Sequence, residues 1–467
     1  MKFGYNINNK LMMNSNGKLI GVEVNDPYNP LNLPQGTIRV RTNDGQPPVN
    51  GNYDTATLVE GTTDVYDVHR QLFDWTGLLK DSTNVVEVLG ANTTGITNMD
   101  SMFEHCTSLT TVALFDTSSV TNMDSMFSRC TSLTTVALFD TSSVTDMKYM
   151  FHSCLALTSA PLFNTSSVTN MKFMFYNCNS LTTVPLFDTS SVTNMECMFI
   201  DCNSLTTVPL FNTSNVENMT ETFCGCSSLT SVPLFNTSNV NYMSAMFHGC
   251  TSLTTVQLFD TSNVTNMYGM FDSCSSLTTV PLFDTSKVTN MGFMFKGCSS
   301  LTTVPMFDTS KVTNMDFMFD SCSSLTTVPL FDTSSVTNME FMFNDCYSLT
   351  TVPLFNTSNV TDMGTMFKRC SSLTTVPLFD TSKVTNMGYM FDSCSLTTVP
   401  LFDTSNVTNM NCMLYGCARV ESGALSLYIQ ASTQTTPPSE HIRTFYGCGS
   451  GTTTGAAELA QIPDDWK

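Results

Sequence analysis

Long apolar runs are missing from this sequence. No stretch of 18 or more apolar residues occurs in its 467 residues, so no membrane-inserted helix is expected. Positive charge is scarce too. Nineteen Lys and Arg stand against 39 Asp and Glu, for a net charge of −20. Nucleic acid is excluded as a partner, because phosphate binding needs clustered cations, and a bare electrostatic membrane surface is disfavoured. Histidine is rare, and C-x-x-C pairs are absent; Cys224 and Cys226 form C-x-C only, so a zinc site is not expected. No H-E-x-x-H, G-x-S-x-G or phosphate loop occurs, so we expect no enzyme, no catalytic residue, no metal and no cofactor. The start, "MKFGYNINNKLMMNSNGKL", has no apolar core or cleavage site, and a classical secretory signal is not expected.

What the sequence has is one line written many times. Cys106, Cys130, Cys154, Cys178, Cys202, Cys226, Cys250, Cys274, Cys298, Cys322, Cys346, Cys370 and Cys394 are each 24 residues apart, and Cys417 follows at 23. A fixed period of this size marks a solenoid or array, whose units bury their apolar faces only against one another. Cys274, Cys298 and Cys322 then form part of a structural ladder, with like residues roughly 4.8 Å apart. That spacing permits a disulfide, but a cysteine following a Met-Phe pair on an inward face acts as a small buried hydrophobe. The ladder is expected to be reduced.

Within the unit, "LTTVPL" gives Leu277, Val280 and Leu282 the L-x-x-L-x-L spacing of a leucine-rich repeat. This reads as a short strand, three or four residues long, because Pro281 removes a donor. "FDTSKV" reads as a corner whose Asp or Asn caps the backbone two residues on. "VTNMGFMFKGC" places Val288, Met291, Met294 and Phe295 at spacings of three and four, which predicts a short helix. The fold class is therefore α/β repeat: a leucine-rich-repeat solenoid of 24-residue strand–turn–short-helix coils with a parallel strand ladder, a small N-terminal module and a C-terminal cap. The residue missing beside Ser395 should be absorbed between Cys394 and Leu396, leaving Leu396 in register with Leu373.

The ends differ from the middle. Residues 1–71 read as an N-terminal module or docking segment, partly β, with a hairpin signal at Asn16-Gly17, a linker over 25–35 and a strand over Thr37–Thr42. A helix is predicted over Asp64–Trp75. Residues 72–95 read as a degenerate capping coil, in which Val88 falls under Val112. Residues 96–417 are the solenoid and 418–467 the C-terminal cap.

The line "LTTVPLFDTSKVTNMGFMFKGC" resembles the repeat of BspA-like leucine-rich-repeat surface proteins. The resemblance implies a non-enzymatic protein that displays a repeat surface for adhesion or recognition. Such repeats occur on bacterial cell surfaces and in bacteriophage virions. It implies a host-cell surface glycan or protein, or other virion proteins, as partners, and it allows an oligomer. The expected setting is the virion surface; the alternative is the bacterial surface, reached by a non-classical route. A structural virion decoration or fibre without a ligand is the alternative function.

Comparing the coils points to where a partner would bind. The position before the second Met varies and carries Phe293, Phe317 and Phe341 in consecutive coils, and Tyr389 later. With Lys287 and Lys311 beside them, these residues are the candidate binding stripe; the other reading packs the rings as a seal.

Overall fold

A computed structural model describes residues 10–13, 19–23, 33–71 and 74–467. The chain divides into two compact units, Met1–Val168 and Thr169–Lys467. In the first, β1 (Lys10–Met13) pairs antiparallel with β2 (Leu19–Glu23). The Asn16-Gly17 turn, and most of the linker reading over 25–35, lie outside the described residues. β3 (Thr37–Thr42), β4 (Thr55–Leu58), β5 (Val65–His69), β6 (Val85–Ala91) and β7 (Thr111–Val112) form one sheet in the order β4-β5-β3-β6-β7. β6 pairs antiparallel with β3 and parallel with β7, with Val88 opposite Val112. The sheet therefore runs from the N-terminal segment into the first regular coil. β5 corrects the helix predicted over Asp64–Trp75. Val65, Tyr66 and Val68 are buried while Asp67 pairs with Arg39 at 2.6 Å, so the segment is held by strand pairing.

The M-x-x-M-F segment is not a helix, and this too corrects the sequence reading. It is a chain of tight turns: Met294 N–H bonds to Met291 O, Lys296 N–H to Phe293 O, and Cys298 N–H to Phe295 O. The intervening amides bond to the next coil. Met291, Phe293, Phe295 and Gly297 donate to the carbonyls of Asn314, Asp316, Met318 and Asp320 at 2.7–3.1 Å. Two residues per coil take the left-handed conformation to permit this, here Phe293 at φ 59° and Gly297 at φ 67°. A residue at φ near +60° breaks a right-handed helix, and half the amides find partners in the neighbouring coil instead.

The "LTTVPL" segment is thinner than a strand. Thr111–Val112 is the one strand assigned to it among the described residues; elsewhere isolated backbone bonds link coils here, as from Thr278 to Thr254 at 3.2 Å. Parallel bridges recur instead at the Asn of T-N-M, from Asn194↔Asn218 to Asn386↔Asn409. Leu277 is fully buried and Val280 half-buried, but Leu282 is 58% exposed. This corrects its place in the core ladder. Phe283 N–H bonds to Pro281 O at 3.0 Å, a three-residue turn centred on Leu282. The turn throws Leu282 outward and brings Phe283 inside at 2% exposure. The shortened coil keeps register: Thr397 N–H bonds to Thr374 O at 2.9 Å, and Leu396 is buried.

The corner behaves as the sequence predicts. Asp284 accepts from the amide and hydroxyl of Ser286, while Thr285 donates to Asp308 O of the next coil at 2.7 Å. Inside, Phe295 stacks between Phe271 and Phe319 at 5.8 and 5.7 Å. Cys298 lies beside it and donates its thiol to Phe271 O at 3.1 Å; Cys274 and Cys322 do the same to Phe247 and Phe295. Cysteine therefore adds a weak donor to what would otherwise be an alanine-sized core position.

All 18 cysteines are free, and burial pushes the ladder thiols well up from their ordinary range. A thiol reagent should therefore label native protein first at half-buried Cys224 and Cys412, and the ladder only after unfolding. Unfolded, unreduced protein should titrate close to its full complement; a large shortfall would mean that the ladder is oxidised.

The two ends are closed in complementary ways. In the first unit, the carbonyls left open by the first coil receive donors from the N-terminal segment. Asn52 N–H bonds to Gly77 O, Asn50 Nδ2 to Asp81 O, and Arg70 to Thr76 O. In the second unit, the last coil's free amides at Met410, Cys412, Leu414 and Gly416 bond to the carbonyls of Glu440, Ile442, Thr444 and Tyr446. Helix α1 (Ala424–Thr433) buries Leu427 and Ala431. Gln430 within it and Gln434 at its C-terminal end donate to the carbonyls of Phe402 and Thr404. Helix α2 (Thr453–Leu459) is capped by Thr452, and a last turn at Asp464–Trp466 buries Trp466.

Candidate binding face

In each unit the left-handed position before the second Met is a column of side chains with unusual latitude. Its backbone conformation already holds Ser125, Tyr149, Cys197, Glu221, Ala245, Phe293 and Thr365, at φ values from 51 to 60°. The column is set by backbone turns and inter-coil bonds, so its side chains are free to vary without moving the core.

Phe293, Phe317 and Phe341 lie in this column as expected. They are half-buried, and their rings stack at 4.5 and 4.4 Å, close to the coil spacing. Lys296 lies over Phe293 and Phe317 at 4.9 and 5.1 Å. This is the cation the sequence reading assigned to Lys287 and Lys311. Lys287 sits exposed in the corner, where its Nζ donates to Asn263 at 2.7 Å, and Lys311 is exposed at the equivalent place. The corner lysine precedes inward-facing Val288 by one residue, and its head group is held by Asn263 of the preceding coil. Tyr389 belongs to the same column, 41% exposed, with Lys368 over its ring at 4.9 Å.

Next to the stack the column narrows, and a groove of about 710 Å³ opens. Its ends are aromatic, Phe173 with Tyr176 at one and Tyr268 with Phe293 at the other. Between them the column carries Cys197, Glu221, Ala245 and Gly269, and the two small residues make the depth. The groove's acceptors are carboxylates. Glu196 is held by Lys172 at 2.7 Å, Asp272 faces His248 at 3.2 Å, and Glu221 accepts from the Cys197 thiol at 3.5 Å. The hydrogen bond to Asp272 raises the His248 pKa. Burial pushes the Cys224 thiol up to about 12, and burial with the Glu221 charge raises that of Cys197. Both thiols stay protonated at neutral pH and are poor nucleophiles. The groove offers ring faces and hydrogen-bond acceptors, a combination suited to holding a ligand. Reading the variable column as single residues found the rings but missed the groove. Its signal was the run Glu221, Ala245, Gly269 between two phenylalanines.

A second surface also escaped the sequence reading. In the second unit the residue after the repeat's Pro or Gln is Leu in nine coils and Met306 in one, and from Leu186 to Leu401 these residues are 52–60% exposed. Among the described residues no group of three or more His, Cys, Asp or Glu is placed to hold a metal ion, and no helix is long and apolar enough to cross a membrane.

The repeats match a family described as "Mycoplasma protein of unknown function, DUF285", in overlapping segments at 74–183, 156–253, 181–279, 205–303, 230–324, 254–351, 279–376, 302–395 and 348–436. No curated protein is significantly similar in sequence. Among solved structures, a leucine-rich repeat protein from Eubacterium ventriosum is 20% identical, covering 68% of this chain and 84% of its own, with a TM-score of 0.37. The internalin inlF of Listeria monocytogenes is 14% identical over 64% of this chain and 90% of its own, TM-score 0.23. The functional domain of InlJ from the same organism, which includes a cysteine ladder, is 16% identical over 73% of this chain and 68% of its own, TM-score 0.23.

Proposed function

The chain belongs to the DUF285 repeat family, and we propose that it is a non-enzymatic recognition or adhesion protein whose coils present a binding face. The observation that carries this reading is the left-handed column of the second unit. There, three stacked rings border a groove lined with carboxylates, on positions the backbone leaves free to vary. Varying contacts on a constant frame is how a repeat protein acquires a specific ligand. The partner we infer is a host-cell surface glycan or protein, met from a virion surface or, alternatively, a bacterial one. Sugar rings or apolar side chains would lie on Phe293, Phe317 and Phe341, and hydroxyl or amide donors would reach Glu221 and Asp272.

The test is the triple substitution Phe293→Ser, Phe317→Ser and Phe341→Ser. Serine already occupies this column at Ser101 and Ser125 with φ 55°, so the backbone accepts it. Losing two stacked pairs should cost about 1–3 kcal/mol of stability. Binding to glycan and cell-surface protein arrays should fall at least tenfold while the protein stays folded at assay temperature. Undiminished binding would remove the stripe from the site. Absence of any ligand for the wild type would favour a decoration or fibre role.

A further inference from the structure

The exposed leucine column calls for a partner, and we propose that it is a second copy of this chain, the two second units pairing face to face along it. Single exposed leucines are ordinary, but ten residues in line are not. Nine coil steps of roughly 4.8 Å give a stripe about 43 Å long. From exposed Thr278 across to exposed Asp284 the face is seven residues wide, roughly 20 Å. The product is close to the roughly 800 Å² per partner that a stable interface needs.

Pitch points to the same occupant. A surface that repeats at the coil spacing meets a leucine at every step only if its partner repeats at the same spacing; a partner of another period falls out of step within a few coils. Another copy of the chain matches by construction.

Charge then selects the orientation. Asp188, Asp260, Asp284, Asp308, Asp332 and Asp380 form an exposed acidic rim on one side of the stripe, and the bonds from the following serines keep their carboxyls below the usual range. The other side is a rim of exposed threonines such as Thr278 and Thr279. A two-fold axis across the stripe would set acid against acid, in chains that each carry a net charge of −20. A two-fold axis along the stripe sets each acidic rim over the partner's threonine hydroxyls, which can donate to it. The copies then run in the same direction, and each residue of the column faces its own counterpart. This pairing uses a different segment of the coil from the aromatic column and stands whether or not that column binds a ligand.

Sedimentation velocity on the full chain at micromolar concentration should show twice the chain mass. The triple variant Leu258→Glu, Leu282→Glu, Leu330→Glu should dissociate at least tenfold more readily while keeping the wild-type circular-dichroism spectrum, since these side chains lie outside the core of the single chain. A monomeric wild type overturns the proposal. So does a dimer indifferent to the triple variant, or a monomer that uses this column to hold a different protein. The orientation has its own readout, free of any folding defect in the triple variant: Leu282→Cys should form a covalent dimer under mild oxidation while the wild type does not, and failure to cross-link sinks the two-fold along the stripe.

Discussion

Phe295→Ala should destabilise the second unit by about 3–5 kcal/mol, whereas Leu282→Ala, thirteen positions earlier in the chain, should change stability by less than about 0.5 kcal/mol. Phe295 is wholly enclosed and stacked on Phe271 and Phe319, with Phe307 a further neighbour at 6.0 Å. Removing its ring leaves a void that stacked coils cannot close, because their spacing is fixed by hydrogen bonds above and below. Leu282 sits at the apex of its turn and makes no comparable enclosure. Unfolding of a repeat array need not be all-or-none, so the measurement should be local. Hydrogen exchange read by mass spectrometry should show protection lost over 271–319 for Phe295→Ala and unchanged for Leu282→Ala. Equal effects from the two substitutions would contradict the outward turn at Leu282.

Trp466→Ala should be nearly as damaging at the C-terminal end, again by about 3–5 kcal/mol. The indole is 4% exposed and lies 5.5 Å from Tyr428, 6.2 Å from Phe445 and 4.2 Å from the His441 ring. Its carbonyl accepts the Phe445 amide at 2.9 Å. Phe445 lies within the stretch whose Thr444 and Tyr446 carbonyls close the last coil. Without the indole that stretch loses its support, and amides 410–416 should exchange faster than those of interior coils. Exchange at 410–416 that matches the wild type would show that α1 and α2 hold the closing stretch unaided.

The register of the fold was legible because stacking forces like residues into line. The period of Cys106 to Cys394, the match of Val88 with Val112 and the compensation beside Ser395 all follow from that requirement. Local conformation was harder to read. Val288, Met291 and Met294 face inward at intervals of three, a spacing a helix also produces, yet Phe293 between them is left-handed. Its amide is satisfied by Asp316, a residue of the next coil, which no window around Phe293 contains. Leu282 failed for a related reason. A strand alternates sides, but the three-residue turn from Pro281 to Phe283 shifts the alternation by one. The Asx corners at Asp284 and its equivalents were legible, because that bond is made within the corner itself.

The inter-coil backbone bonds of the M-x-x-M-F segment all point one way: within each unit, each coil gives its amides to the coil that follows and receives only side-chain donors, chiefly the ladder thiols, in return. A coil therefore has two unlike edges, as a subunit in a polar filament does. Cut free of both caps, a run of coils would be a polymerisable fragment, adding others end to end with a distinct plus and minus end. Glu440, Ile442, Thr444 and Tyr446 act as chain terminators in that sense. A protease nick that released them would turn a finished molecule into a seed.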